Sequence, residues 1–139
     1  MSVSVRRDVV ILACAISAGI HGALAPDHFR EGAAAGGGFA AATVMLALLG
    51  VALTRRPEAA VLYAGAALTL GGLIASYAFA VTTGLPLLDP EREAVDGLAL
   101  VTEAIEVVGL AASLSLLERR RPVLLSGRAT HLQTKGTPA

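Results

Sequence analysis

The stretch GLALVTEAIEVVGLAASLSLL, residues 97–117, combines an apolar run with two carboxylic acids, Glu103 and Glu106. A helix needs about 17 to 25 predominantly apolar residues to cross roughly 30 Å of hydrocarbon, and this run has that length. A carboxyl group at such a depth costs about 2 to 3 kcal/mol, and more if it is ionised and unpaired. The stretch therefore predicts a transmembrane helix whose two glutamates need polar partners elsewhere in the chain.

Three further apolar runs precede this one, at residues 9–25, 36–54 and 59–81. The chain is 55% hydrophobic and 16% charged, with a mean hydropathy of +0.68, which is not the composition of an ordinary soluble domain. We predict an all-α fold, an integral membrane four-helix bundle in residues 1–117 that contacts the lipid bilayer. Arg6 and Arg7 precede the first run as they would in a signal peptide, but another apolar run follows closely, so we expect the first helix to be retained.

The distribution of charge predicts the orientation of these helices. If both termini are inside, the inner segments carry most of the lysine and arginine, and the outer loops carry only Arg30 and Arg92. The inner residues are Arg6, Arg7, Arg55, Arg56, Arg119, Arg120, Arg121, Arg128 and Lys135. The outer side collects acids instead, namely Asp27, Glu31, Asp89, Glu91, Glu93 and Asp96. Because the basic residues lie at helix ends and aromatic residues are scarce, we expect no nucleic-acid partner.

Prolines and glycines predict where the helices end. Pro26 disfavours helical geometry at Ala25, so we expect the first helix to end or kink there and a short interfacial helix to follow through Glu31. Gly84, with Pro86 beyond it, is a natural left-handed cap for the third helix. Pro122 is expected to interrupt the fourth helix, so we interpret residues 118–139 as a basic, disordered cytoplasmic tail.

The polar residues of the spans fall at one predicted depth. At a rise of 1.5 Å per residue, His21 lies about 6 Å below the outer boundary, Glu103 about 9 Å and Glu106 about 13 Å. Ser76 and Tyr77 reach a similar level from the third helix. We therefore predict that His21 contacts one of the buried glutamates, and that Asp27, His28 and Glu31 form the roof of an outward-facing pocket.

Three interpretations of this pocket remain open. His21, His28, Asp27, Glu31, Glu103 and Glu106 are candidate ligands of a divalent transition metal such as zinc, copper, iron or manganese, for which imidazole and carboxylate are suitable. His21 and a glutamate can also form a structural pair without any ion. Alternatively, the pocket belongs to a proton or substrate pathway. We expect no haem within one protomer, because facing histidines are lacking, and no enzymatic activity, because no serine is placed as an activated nucleophile.

The segments IHGALAPDHFRE, TTGLP and EAIEV together resemble an uncharacterised group of small bacterial membrane proteins with four predicted helices. The resemblance covers about residues 9–117 and lies in a histidine, a proline–acid–histidine element and a late glutamate. His21, Pro26, His28 and residues 84–86 match directly, and Asp27 replaces a glutamate. The late glutamate corresponds to either Glu103 or Glu106. The resemblance implies a multi-pass protein of the bacterial inner (plasma) membrane and no particular activity. We also expect a homo-oligomer or a partner membrane protein.

Overall fold

The computed structural model describes residues 1–84 and 94–133, with side chains as far as Arg119. The described residues form four α-helices, α1 (Val3–Glu31), α2 (Ala33–Arg55), α3 (Ala60–Thr82) and α4 (Gly97–Gln133). The all-α architecture predicted from the apolar runs is confirmed. The acidic residues Asp89, Glu91 and Glu93, and Lys135 of the tail, lie outside the described residues.

Helix α1 continues through Pro26 to Glu31, so the prediction of a separate interfacial helix after the first span is wrong. A proline removes one backbone hydrogen bond but keeps helical dihedral angles itself. The turn beyond Pro26 is held by its own side-chain contacts, since His28 Nδ1 lies 2.7 Å from Glu31 Oε2 and the His28 ring stacks on Phe39 of α2. These contacts stabilise a helix that the isolated sequence pattern would end.

A single residue, Gly32, connects α1 to α2. Its N–H donates to the His28 carbonyl at 2.9 Å, and its own carbonyl accepts from Gly36 N–H at 3.0 Å. Helix α2 consequently begins at Ala33, before the predicted apolar run at residues 36–54, and the three glycines at 36–38 lie inside it. Gly36 is buried against Phe29, which brings the last turn of α1 close to the first turn of α2.

Helix α3 matches its predicted span within one residue at each end. Gly84 follows it with φ 74°, which confirms the predicted left-handed cap. Helix α4 extends to Gln133, whereas the sequence predicted that it ends at 117 and that disorder follows. The backbone passes through Pro122 as it does through Pro26, with the loss of one hydrogen bond. The division of the chain into two regions at residue 117 stays a prediction.

The helices alternate in direction and form a four-membered ring. Helix α1 packs against α2 and α4, and α3 packs against both α2 and α4. The packing between α1, α3 and α4 is closest at Gly109, where an added Cβ atom would lie 2.5 Å from Ala13 Cβ and 2.9 Å from Leu70 Cδ1. Small residues thus permit close helix contact in the middle of the bundle.

One end of the bundle is filled by large side chains. This closed end, defined by Val10, Leu53, Tyr63 and Leu116, has side chains that are at most 2% exposed. The Tyr63 hydroxyl donates to the Pro57 carbonyl at 2.8 Å, which satisfies the only polar atom of that ring. The opposite end contains the polar site described below.

The exterior of the bundle is apolar. Large side chains such as Leu68, Val61 and Leu48 are 79%, 74% and 62% exposed. Each of the four helices contains a segment long and apolar enough to cross a membrane, which in α4 is Gly97–Arg119. An apolar surface of this extent is suited to lipid contact, as predicted for a membrane protein.

Candidate functional site

A cavity of about 330 Å³ lies at the end of the bundle opposite the closed end. We call this cavity the pocket, and its walls come from the end of α1, the beginning of α2, the end of α3 and the beginning of α4. Its polar lining includes His21, His28, Ser76, Tyr77, Glu103 and Glu106. The structure therefore brings together the residues that helix depth placed at one level.

Glu106 is the most deeply buried charged residue of the described chain, with 0% exposure. Its Oε1 atom accepts a hydrogen bond of 2.6 Å from the Ser17 hydroxyl of α1. Its Oε2 atom is also buried but has no hydrogen-bond partner among the residues that the structure describes. Since Glu106 lines the pocket, one carboxyl oxygen is fixed by Ser17 and the other lies buried at the wall of the cavity without a bond to any described residue.

His21 belongs to the same cluster. Its Nδ1 atom lies 4.0 Å from Glu106 Oε1, so the predicted contact between His21 and a buried glutamate is confirmed and the glutamate is Glu106. The same atom lies 2.9 Å from the Ser17 carbonyl and 3.3 Å from its hydroxyl oxygen. Because a carbonyl can only accept, Nδ1 carries the hydrogen, and in a neutral ring Nε2 remains an acceptor. The cluster is thus a donor chain, in which His21 Nδ1–H donates to Ser17 and the Ser17 hydroxyl donates to Glu106 Oε1.

Two more carboxylic acids line the pocket, Glu103 and Asp96. Glu103 lies one turn before Glu106 on α4 and is half-buried, whereas Asp96 is exposed at the start of the helix. Asp96 Oδ1 accepts a hydrogen bond of 2.8 Å from the Ala99 N–H, which caps α4. Among the described lining residues there are three acids and no lysine or arginine, so the pocket favours positive charge.

The predicted roof of the pocket is only partly correct. His28 lines the cavity, with a side chain that is 18% exposed. Asp27 and Glu31 do not line it, because each lies on the outer face of the last turn of α1, 65% and 59% exposed. Asp27 pairs with Arg30 and Glu31 pairs with His28, in both cases three residues apart along the helix. The continuous helix turns these two acids away from the cavity.

The candidate metal ligands do not converge in the structure. Within residues 1–84 and 94–119, whose side chains the structure describes, no three histidine, cysteine, aspartate or glutamate side chains are close enough together to hold a metal ion. Among the described side chains the candidates meet in pairs, His28 with Glu31 at 2.7 Å on the outer face of α1 and His21 with Glu106 at 4.0 Å in the pocket. Structural and catalytic zinc sites use at least three protein ligands, so a metal would require Glu103 or His28 to move toward this pair.

Two residues of the site were not among the sequence candidates. Ser17 lies four residues before His21 on the same helix face, and this spacing was the signal for it. Phe39 of α2 forms one wall of the pocket. Its ring stacks on His28 with centroids 3.8 Å apart and lies 5.2 Å from the His21 ring. A sequence interpretation restricted to polar residues misses an aromatic wall of this kind.

Comparisons of the chain with protein-family models, with curated proteins and with solved structures yield no match. The resemblance to the four-helix bacterial proteins therefore stays a prediction.

Proposed function

We propose that this protein is a non-catalytic, multi-pass membrane protein that binds a small, positively charged solute in the pocket. The apolar exterior and the four helices of spanning length support insertion in a bilayer. The excess of arginine at the closed end and in the tail supports an orientation with that end in the cytoplasm and the pocket outside. The membrane we propose is the bacterial inner (plasma) membrane.

Glu106 carries the proposal. A fully buried carboxyl group with one oxygen unpartnered among the described residues is costly in an apolar bundle. A cation in the pocket would supply the missing interaction, and Glu103 and Asp96 would add to the attraction. A purely structural pairing accounts for the bond from Ser17 to Oε1, but it leaves Oε2 and the cavity unexplained.

This role is compatible with a component of a proton-coupled transporter. Without solute, a proton on Glu106 removes the cost of a buried charge. When a cation binds, the proton leaves and the carboxylate becomes its counter-charge. The donor chain from His21 through Ser17 holds Oε1 in place in both states.

The test is the thermal stability of the purified protein in mild detergent, measured over a panel of inorganic and organic cations. We expect at least one cation to raise the melting temperature of the wild type by mass action. Glu106→Gln should abolish the shift, and Glu118→Gln, at an exposed carboxyl group of the same helix, should preserve it. A panel in which no cation stabilises the wild type, or in which both variants respond alike, contradicts the proposal.

Orientation has its own test. In a Cys14→Ser background, cysteines are introduced by Glu91→Cys and Arg56→Cys and labelled in intact cells with a membrane-impermeant reagent. We expect labelling at position 91 and none at position 56. The reverse pattern would place the pocket on the cytoplasmic side.

A transition-metal ion is the second candidate solute. The observation in its favour is that the neutral His21 ring, whose Nε2 has a free lone pair when Nδ1 donates to the Ser17 carbonyl, lies beside Glu106, with Nδ1 4.0 Å from Oε1. Metal content of chelator-stripped protein after reloading should then fall in both His21→Ala and Glu106→Gln relative to the wild type. Equal uptake by all three proteins, or none, would exclude this candidate.

A further inference from the structure

We infer that the solute is a protonated organic amine with an apolar group, rather than a bare inorganic cation. This inference rests on the proposed function and specifies its ligand. It is drawn from the size of the pocket, the aromatic and aliphatic composition of its walls, and the position of the unpartnered oxygen of Glu106.

Size argues against a bare ion. The cavity of about 330 Å³ lies within the range of about 300 to 1,000 Å³ that is usual for small-molecule sites. A metal ion would occupy a small part of that volume, and the described residues bring no set of three metal ligands together. A small organic molecule matches that volume better than a bare ion does.

The walls suit a carbon skeleton. Aliphatic side chains from three helices, Ile20 and Leu24 of α1, Leu73 of α3 and Leu98 of α4, line the cavity. On the side of α2 the lining residues Ala35, Gly38 and Ala42 are small and leave room for a ligand. Hydrocarbon placed there removes apolar surface of both ligand and protein from water, which favours binding.

Four rings complete the lining, those of His21, His28, Phe39 and Tyr77. The Phe39 ring contacts both histidine rings, and these two contacts restrain its position. An ammonium group within about 6 Å of an aromatic face is attracted by the ring quadrupole. The rings therefore recognise the same charge that the acids attract, and they exclude water around it.

The hydrogen-bonding capacity of the site favours an amine with N–H donors. Glu106 Oε2 is an acceptor that has no donor among the described residues. In a neutral His21 ring, Nε2 is a second acceptor, because Nδ1 donates to the Ser17 carbonyl. A primary ammonium group has three N–H donors and can satisfy both acceptors, whereas a sodium ion or a quaternary ammonium group has none.

The experiment is a calorimetric titration of the detergent-purified wild type with n-alkylammonium chlorides of increasing chain length. The matched n-alkyl alcohols and the chlorides of sodium, ammonium and zinc serve as comparison ligands. We expect affinity to rise by about fourfold for each added methylene until the cavity is full, since burial of a CH₂ group gives roughly that factor. The alcohols should bind at least tenfold more weakly than the amines of equal length.

Phe39→Leu tests the aromatic wall, because it keeps an apolar side chain and removes the ring. We expect amine affinity to fall by about two- to fivefold, the range of an exposed cation–π contact. Phe79→Leu is the matched control, since Phe79 is 59% exposed on α3 and does not line the pocket. Its affinity should equal that of the wild type.

The outcomes separate this inference from the proposed function. Binding of inorganic cations that depends on Glu106, without binding of amines, would overturn the inference and keep the proposed function. Binding of alcohols as tightly as amines would overturn both, because charge would then not be recognised. Absence of binding by every ligand would also overturn both.

Discussion

The two ends of the bundle are built from the same four helices but differ in what fills the space between them. At the closed end, Tyr63 and Leu53 occupy the interior and are 1% and 0% exposed. At the pocket end, α2 contributes the small residues Ala35, Gly38 and Ala42 beside Phe39, and the space between the helices is left as the cavity. The contrast shows that this chain concentrates packing at one end and polar groups at the other.

The consequence is a division of roles along one set of helices. Close packing from the closed end to Gly109 holds the helices together mainly through apolar side chains. The buried polar cluster of Ser17, His21 and Glu106 lies beyond this closely packed region. Stability and binding should therefore respond to different substitutions, and the predictions below test that separation in order of decreasing effect.

The largest effect is expected at the centre of the closed end. Tyr63→Ala removes a buried ring and its bond to Pro57, and we expect a loss of about 3 to 5 kcal/mol in the free energy of unfolding. Phe79→Ala removes an exposed ring and should cost far less. Denaturant unfolding in mild detergent measures both, and equal losses would mean that the closed end is no better packed than the surface.

The next effect is at the midpoint between the two ends. Gly109→Ala places a methyl group 2.5 Å from Ala13 Cβ, so the helices must separate, at a cost of about 1 to 3 kcal/mol. Gly72→Ala is the matched control, because nothing lies within 4 Å of its added Cβ. The same unfolding measurement applies, and a neutral Gly109→Ala would show that the helices are not in close contact at this position.

A smaller, non-additive effect is expected at the pocket end. In a double-mutant cycle of His21→Ala with Glu106→Gln, we expect a coupling of about 0.6 to 2 kcal/mol, because both side chains contact Ser17. The parallel cycle with Glu103→Gln should be additive within about 0.5 kcal/mol, because no contact joins Glu103 to His21 among the described side chains. Additivity in both cycles would contradict the proposed cluster of His21, Ser17 and Glu106.

The smallest effect is expected on the outer face of α1. Asp27→Asn breaks an exposed pair with Arg30, and such surface pairs contribute less than about 1 kcal/mol. Because Asp27 does not line the pocket, binding of a cation should also remain unchanged. Calorimetry measures cation binding by this variant. A loss of cation affinity would show that Asp27 belongs to the site.

The sequence predicted the helices well because hydropathy and length are summed over many residues. The depth of His21 and Glu106 followed from the helical rise alone, and their contact is confirmed. Helix ends were predicted less well, since Pro26 and Pro122 were treated as stops. A proline costs one hydrogen bond, and neighbouring contacts such as that of His28 with Phe39 are not visible along the chain.

The sequence predicted the acids and histidines of the site but not the shape of the pocket. Helix periodicity gives the face of a residue on its own helix but not the rotation of one helix against another. Asp27 and His28 are adjacent in sequence, yet only His28 lines the pocket. Phe39 could not be chosen over the other apolar residues of α2, because nothing in the sequence distinguishes a ring at a cavity wall from a ring facing lipid.

The one-residue connection at Gly32 has a consequence for how the protein assembles. Closing a loop costs more conformational entropy as it lengthens, so α1 and α2 are the pair that meets most easily. We expect this helical hairpin to form first during folding, as local contacts generally do. Ser17 and Phe39 are then already in place, and the carboxyl group of Glu106 reaches its donor only when α4 docks, 89 residues later in the chain.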